Sequence, residues 1–228
     1  MLKVYKDHHI FDPVVKDQYQ TQITVLDLDT LGAAKEYNNP CCLNFASHKR
    51  PGGGYKAVQD LPMPIKTQEE DLFRRSNLPD MMDNKYVREH YPLMGVKGIY
   101  CNGVQVYRDE NLVTHDPFDI SLVTVPAVVN PQPHDYGLVN DKVRRILEIA
   151  ADNRHDTLIL GAWGCGVFNN DPVEVATLFK DLLQDYFRGV FRDVLFAIPT
   201  GRRPGRKPMP GKGNPNHDLF ESVFENQA

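Results

Sequence analysis

The sequence is poor in the features that mark several common protein classes. No stretch approaches the roughly 18 consecutive apolar residues of a membrane-spanning helix, and the N-terminal MLKVYKDHHIFDPVVKD holds no continuous apolar segment. Neither membrane insertion nor secretion is expected. Four cysteines, Cys41, Cys42, Cys101 and Cys165, form no CxxC pair and are too few for a disulfide scaffold, so a reducing compartment, the cytoplasm, is expected. Positive charge is not in excess: 26 Lys+Arg stand against 30 Asp+Glu, a net charge of -4, which excludes a global basic field for nucleic acid or an anionic membrane. The 8 histidines contain no HExxH or similarly tight ligand spacing. Their one cluster, His8–His9 beside Asp12, sits at a chain terminus, where exposure is expected rather than coordination, so no metal site is expected. Internal repeats and interdomain linkers are also absent. Residues 1–228 read as one domain.

What is present is a regular alternation of apolar runs and helix-compatible segments. Strands are predicted at Gln22–Leu28, Cys41–Ala46, Gly98–Tyr107, Asp119–Val128, Asp156–Trp163 and Asp193–Pro199. Helices are predicted at Thr30–Tyr37, Gln68–Leu78, Leu138–Ala151, Pro172–Phe187 and Asp218–Phe224. Such interleaving implies an α/β fold with a mixed, mostly parallel sheet covered by helices on both faces. One helix start is legible in detail. Asp171 can cap free N–H groups, Pro172 suits the first turn, and Glu174 sits in the positive end of the helix field. Val175, Leu178, Phe179 and Leu182 then form one apolar stripe.

Two stretches depart from this pattern. Residues 55–67 contain Pro62 and Pro64, which interrupt helix and central strand alike, so a long loop is expected. Residues 200–217 carry Arg202, Arg203, Arg206, Lys207 and Lys212 with no acidic residue before Asp218, amid many prolines and glycines. That segment is either a contact for phosphate or an acidic partner, or a solvated insertion.

Chemistry concentrates in two glycine-rich places. Gly52, Gly53 and Gly54 follow a predicted strand and can turn with positive φ or admit close backbone contact. They match neither the nucleotide-triphosphate loop nor the dinucleotide fingerprint. Gln68, Glu69 and Glu70 open the next helix. Thr67 and Glu70 have capping-box spacing, so Glu70 could serve only the helix cap, a contribution of about 0.5–2 kcal/mol. The alternative is a carboxylate pair facing a sugar, with repulsion and burial keeping a proton near neutral pH. Arg74 and Arg75, a turn later, could balance that pair, bind phosphate or form i,i+4 ion pairs.

The second place, Gly161–Phe168 (GAWGCGVF), joins a strand to the capped helix, where backbone amides can surround a phosphate without a lysine. Trp163 reads as core more than as ligand wall, whereas Phe168, beside Asn169 and Asn170, is the better ligand-facing ring. Cys165 lies between glycines, but no Cys/His spacing identifies a base that would make it a nucleophile.

Taken together, NFAS (Asn44–Ser47), PGGG (Pro51–Gly54), QEE (Gln68–Glu70), RRSNL (Arg74–Leu78) and GAWGCGVF resemble the bacterial-type poly(ADP-ribose) glycohydrolases of the macrodomain superfamily. The likeness runs through nearly the whole chain. It implies a three-layer α/β/α macrodomain, with ADP-ribose or the end of poly(ADP-ribose) held between the two glycine segments. By the family pattern Glu70 would be the catalytic acid and Glu69 would orient ribose hydroxyls. Asn44 would help hold the terminal ribose, Gln68 would be a further ligand-binding residue, Gly52, Gly53 and Gly54 would line the diphosphate side of that ribose, Gly164, Cys165, Gly166 and Val167 would wrap the diphosphate, and Phe168 would pack near the adenosine-proximal ribose. The implied reaction is hydrolysis of ribose–ribose O-glycosidic bonds by a monomer, with no cofactor. Binding of ADP-ribose without cleavage, or hydrolysis of another ADP-ribosyl linkage on protein or nucleic acid, are the alternatives. One departure stands out: thirteen residues, 55–67, separate GGG from QEE, more than the family pattern has. Insertions are therefore expected at 55–67 and 200–217.

Overall fold

Successive residues of a strand point to opposite faces of a sheet, and here both faces are covered. Cys41, Leu43, Leu158, Leu160, Val194 and Phe196 enter one core, while their neighbours Cys42, Ile159, Leu195 and Ala197 enter another. The strands are short and almost wholly apolar because neither face meets water. The computed structural model describes residues 1–56, 67–201 and 214–225. Most of both expected insertions, 57–66 and 202–213, lies outside the described residues.

The strands are β1 (Leu2–Tyr5), β2 (Gln22–Leu26), β3 (Cys41–Asn44), β4 (Gly98–Arg108), β5 (Thr114–Thr124), β6 (Thr157–Leu160) and β7 (Asp193–Ala197). The helices are α1 (Thr30–Ala34), α2 (Gln68–Arg75), α3 (Leu78–Met82), α4 (Lys85–Arg88), α5 (Tyr136–Asp152), α6 (Pro172–Gln184) and α7 (Pro215–Glu225). All seven strands form one sheet in the order β1-β4-β5-β3-β6-β7-β2. β3, β6, β7, β2 and β5 run parallel to their neighbours in this series, whereas β4 is antiparallel to both β1 and β5. Residues of α5, α6 and α7 fill one core and residues of α1, α2 and α3 the other, which gives the expected three-layer α/β/α architecture.

Several boundaries differ from expectation for local reasons. β1 was not predicted; its four residues pair with β4, so Tyr5 is buried while the strand stays too short to show a periodic pattern. β5 lies nearer the N-terminus than predicted because it continues a long hairpin with β4, in which Thr114 pairs with Arg108. α2 stops at Arg75, where Ser76 turns extended, bridges to Val106 and donates its hydroxyl to Leu72 O at 2.7 Å. α6 begins as expected: the Asp171 side chain accepts from Val173 N and Glu174 N, and Pro172 occupies the first turn. Its buried residues are Val175, Ala176, Phe179 and Leu183, with Leu178 and Leu182 partly buried at the margin. Trp163, Phe179, Phe187, Phe191, Phe196 and Phe220 are fully buried on this side, each contributing roughly 2–3 kcal/mol relative to exposure. Among the described residues, no helix is long and apolar enough to cross a membrane.

Candidate active site

β3 is the central strand of the site. Asn44 is its last residue and points, like Cys42, to the α2 side, where alternation places a polar group under the helix start. Its Nδ2 donates to Thr124 Oγ1 at 3.2 Å, on the residue paired with it in β5, and to Glu69 Oε1 at 3.3 Å. Its Oδ1 is buried without a hydrogen-bond partner. Gln68 clamps α2 to the strand end: its Oε1 accepts from Phe45 N at 2.8 Å, and its Nε2 donates to Leu43 O at 2.7 Å and Thr30 Oγ1 at 3.1 Å. The amide is thus committed to the protein on both sides, which sets the azimuth of the next two residues.

Those residues are Glu69 and Glu70, both buried. Glu69 is saturated. Oε1 accepts from Asn44 and from Gly52 N at 3.1 Å, and Oε2 accepts from Ser47 N at 2.8 Å. Burial pushes its carboxyl up to about 7, against the pull of these three donors, and the charge of Glu70 adds a smaller rise. Glu70 is held at one oxygen only. Oε1 accepts from Gly54 N at 3.1 Å, while Oε2 is buried with no partner among the described residues. The capping-box alternative is not realised, because Thr67 makes no side-chain cap and Glu70 turns to the glycine turn instead.

Glycine at 52–54 follows from this approach. Gly52 has φ +71, and a Cβ there would meet ring carbons of Tyr55 and Phe73 at 2.5–2.7 Å; one on Gly54 would lie 2.8 Å from Glu70 Oε1. The N–H groups of Gly52 and Gly54 already serve the glutamates, so the turn offers a ligand closeness rather than donors.

The second loop behaves differently. Gly164 has φ +77, and a Cβ there would press on Ala127 and Asn170 at 2.7 Å. Asn170 Nδ2 donates to Val128 O at 2.8 Å and Gly164 O at 3.1 Å, pinning the loop to the exit of β5. In front of Gly166 there is nothing within 4 Å. Among the described residues, the N–H groups of Gly164, Gly166, Val167 and Phe168 have no hydrogen-bond partner. Val167 is 84% exposed. Trp163 is core: its Nε1 donates to Val125 O at 2.8 Å. Burial raises the Cys165 thiol to about 12, which disfavours the nucleophilic thiolate. Phe168 lies edge-on to His48, ring centroids 6.2 Å apart, so that ring pair bridges the segment after β3 and the second loop.

Of the remaining candidates, Arg75 is a structural cation, buried and ion-paired with Asp71 at 2.8 Å and Asp29 at 2.9 Å. His8, His9 and Asp12 are exposed. Ser47, His48, Tyr91 and Asn170 were given no role by sequence reasoning, and no motif spacing marks them. His217, Asp218 and Glu221, at i, i+1 and i+4 on α7, bring potential donor atoms within 4.8 Å of one another, a grouping that HExxH-like spacing does not single out.

Comparisons with known proteins agree with this geometry. The family description "Microbial-type PARG, catalytic domain" matches residues 2–109. A poly(ADP-ribose) glycohydrolase from Thermomonospora curvata, bound to the inhibitor ADP-HPD, is 32% identical over 90% of this chain and 80% of that chain, with a TM-score of 0.74. A second structure of a poly(ADP-ribose) glycohydrolase from Thermomonospora curvata aligns over 98% of this chain and 85% of that chain at 29% identity, TM-score 0.78. A poly(ADP-ribose) glycohydrolase from Deinococcus radiodurans in complex with ADP-ribose is 28% identical over 93% of this chain and 88% of that chain, TM-score 0.78. A search of curated proteins returned no match.

Proposed function

The chain belongs to the microbial-type poly(ADP-ribose) glycohydrolases, and from that premise we propose that it hydrolyses ribose–ribose O-glycosidic bonds, releasing ADP-ribose from chain ends with Glu70 as general acid. The observation that carries the assignment is the contrast within the carboxylate pair. Both oxygens of Glu69 already accept hydrogen bonds from the protein, whereas Glu70 Oε2 is buried with no partner among the described residues. A buried acceptor without a partner is costly, by about 1–3 kcal/mol, unless a ligand supplies the missing bond. Asn44 Oδ1 is a second such atom, and together they suit a sugar, which brings several hydroxyl donors.

In the proposed step Glu70 passes a proton through Oε2 to the oxygen leaving the anomeric carbon. The C–O bond breaks with oxocarbenium character, and the departing ribose keeps the new hydroxyl. Water then bonds to the anomeric carbon and returns a proton to Glu70. Glu69 holds Asn44, the Ser47 backbone and the glycine turn in one arrangement, and so orients the ribose. The four partnerless N–H groups of the second loop take the diphosphate, and Phe168 packs beside the inner ribose. Gln68 serves as a positioning residue, and Gly52–Gly54 let the sugar approach the carboxylates.

The four cysteines are unbridged, three of them buried, which supports a reducing compartment, the cytoplasm. One domain acting as a monomer completes the proposal. The decisive experiment incubates the protein with labelled poly(ADP-ribose) and resolves products by length. Steady release of ADP-ribose while the remaining chains shorten one unit at a time, with no multi-unit fragments set free at early times, supports chain-end hydrolysis. Tight ADP-ribose binding with no release would leave a non-catalytic reader in its place.

A further inference from the structure

The first glycine turn has two sides. One donates N–H groups to the glutamates. The other lines a cavity of about 440 Å³ whose wall carries Lys49, Arg50, Lys56 and Arg88 against one carboxylate, Asp83, with Tyr91 alongside. Asp83 is bonded by Lys56 at 2.5 Å, by Arg88, and by the Tyr55 hydroxyl at 2.8 Å. A single carboxylate therefore serves two of the cations. Among the described residues Lys49 has no ion pair, and Arg50 uses only its Nε, on Gly53 O at 2.7 Å. The cavity wall is net positive in a protein that is net negative overall.

Its position follows from the sheet. β3 lies between β5 and β6. The second glycine loop follows β6, whereas the cavity is walled by Asp83, Arg88 and Tyr91 of the segment leading into β4, the partner of β5. The two thus flank the glutamates from opposite sides of β3. Tyr91, in the cavity wall, lies close enough to Glu69 to feel its charge, and its hydroxyl is buried with no hydrogen-bond partner among the described residues. On the glycohydrolase reading, with an ADP-ribose unit between Glu70 and the second loop, the group attached through the scissile oxygen lies on the side of β3 away from that loop, which is the cavity side.

In a polymer that attachment is another ADP-ribose unit, whose diphosphate bears negative charge. We infer that the Lys49/Arg50/Lys56/Arg88 cavity is a leaving-group subsite that holds the diphosphate of the adjoining polymer unit. This rests on the glycohydrolase reading above. Partly exposed lysines and arginines bind phosphate by charge-assisted hydrogen bonds that salt weakens. The subsite therefore favours substrates with an anionic leaving group and contributes nothing toward an uncharged one.

The test compares poly(ADP-ribose) with an ADP-ribosyl conjugate carrying a small uncharged aryl leaving group, for wild type, Lys49→Glu/Lys56→Glu and Lys49→Arg/Lys56→Arg. The expected result is a fall of about tenfold in kcat/KM for polymer in the charge-reversed protein. Its aryl-substrate rate should stay within about twofold of wild type, and its polymer rate should depend less steeply on salt. The arginine pair should keep the wild-type ratio. Equal loss on both substrates, or an unchanged ratio, overturns the subsite while leaving the hydrolase intact. Wild type that cleaves neither substrate overturns the hydrolase reading and the subsite with it.

Discussion

At Gly52–Gly54 two backbone N–H groups are already bonded to Glu69 and Glu70, whereas in the Gly161–Phe168 loop those of Gly164, Gly166, Val167 and Phe168 have no partner among the described residues. Both segments are glycine-rich because the chain must turn with positive φ and let other atoms come close. Their chemistry is opposite. The first turn is folded onto buried carboxylates and completes them, so its donors act on the protein. The second wraps open space, so its donors are ready for an anion. Glycine content alone therefore does not mark a phosphate loop; what matters is where the amides point.

Substitutions can break this contrast in graded ways. The largest effect is expected from Glu70→Gln, which keeps the Gly54 bond but removes the acid. Single-turnover rates on polymer should fall roughly 10²–10⁴-fold, while calorimetry shows ADP-ribose affinity within a few-fold of wild type. A loss confined to KM would assign Glu70 to binding instead.

Glu69 makes a pH prediction. Its carboxyl rises from the ordinary 4.5 to about 7, chiefly by burial, so the folded protein holds that proton more tightly than the unfolded chain. The associated stability is present below about 4.5 and is lost as pH rises through about 7, by up to roughly 3 kcal/mol. Urea unfolding at pH 5 and pH 8 should show this difference in wild type and a flatter profile in Glu69→Gln. Identical profiles in the two proteins would mean that the carboxyl titrates as it does in the unfolded chain.

Gly52→Ala tests the closed turn. Positive φ and contact with the Tyr55 and Phe73 rings should cost roughly 2–3 kcal/mol of stability, read as a lower unfolding midpoint. The smallest effect is expected at Gly166→Ala in the open loop. With nothing near the added methyl and no positive φ, stability should change by less than about 0.5 kcal/mol. ADP-ribose affinity should nevertheless drop several-fold, because the methyl enters the space assigned to the diphosphate. Unchanged affinity would move the diphosphate elsewhere.

Much of this was legible beforehand. Alternating strands and amphipathic helices announce an α/β sheet, and Asp171-Pro172 announces a helix start whose cap bonds then appear. The QEE and first glycine motifs are residues that folding does bring together, Gly52 onto Glu69 and Gly54 onto Glu70. What could not be read was which glutamate oxygen is satisfied, since the donors come from Asn44, Ser47 and Gly52, remote from Glu69 in sequence. Gln68 illustrates the same limit: assigned to ligand by resemblance, its amide instead joins α2 to Leu43, Phe45 and Thr30.

Period-two and helical hydrophobic patterns are local properties, carried by neighbouring side chains, so the chain's own order of residues was enough to specify the layers, most of the strands and the two glycine segments. Whether a buried carboxylate is left wanting a bond depends on atoms that folding brings together from β3, the glycine turn and α2. That is a matter of three-dimensional hydrogen-bond satisfaction, and it separates Glu70 from the residue beside it.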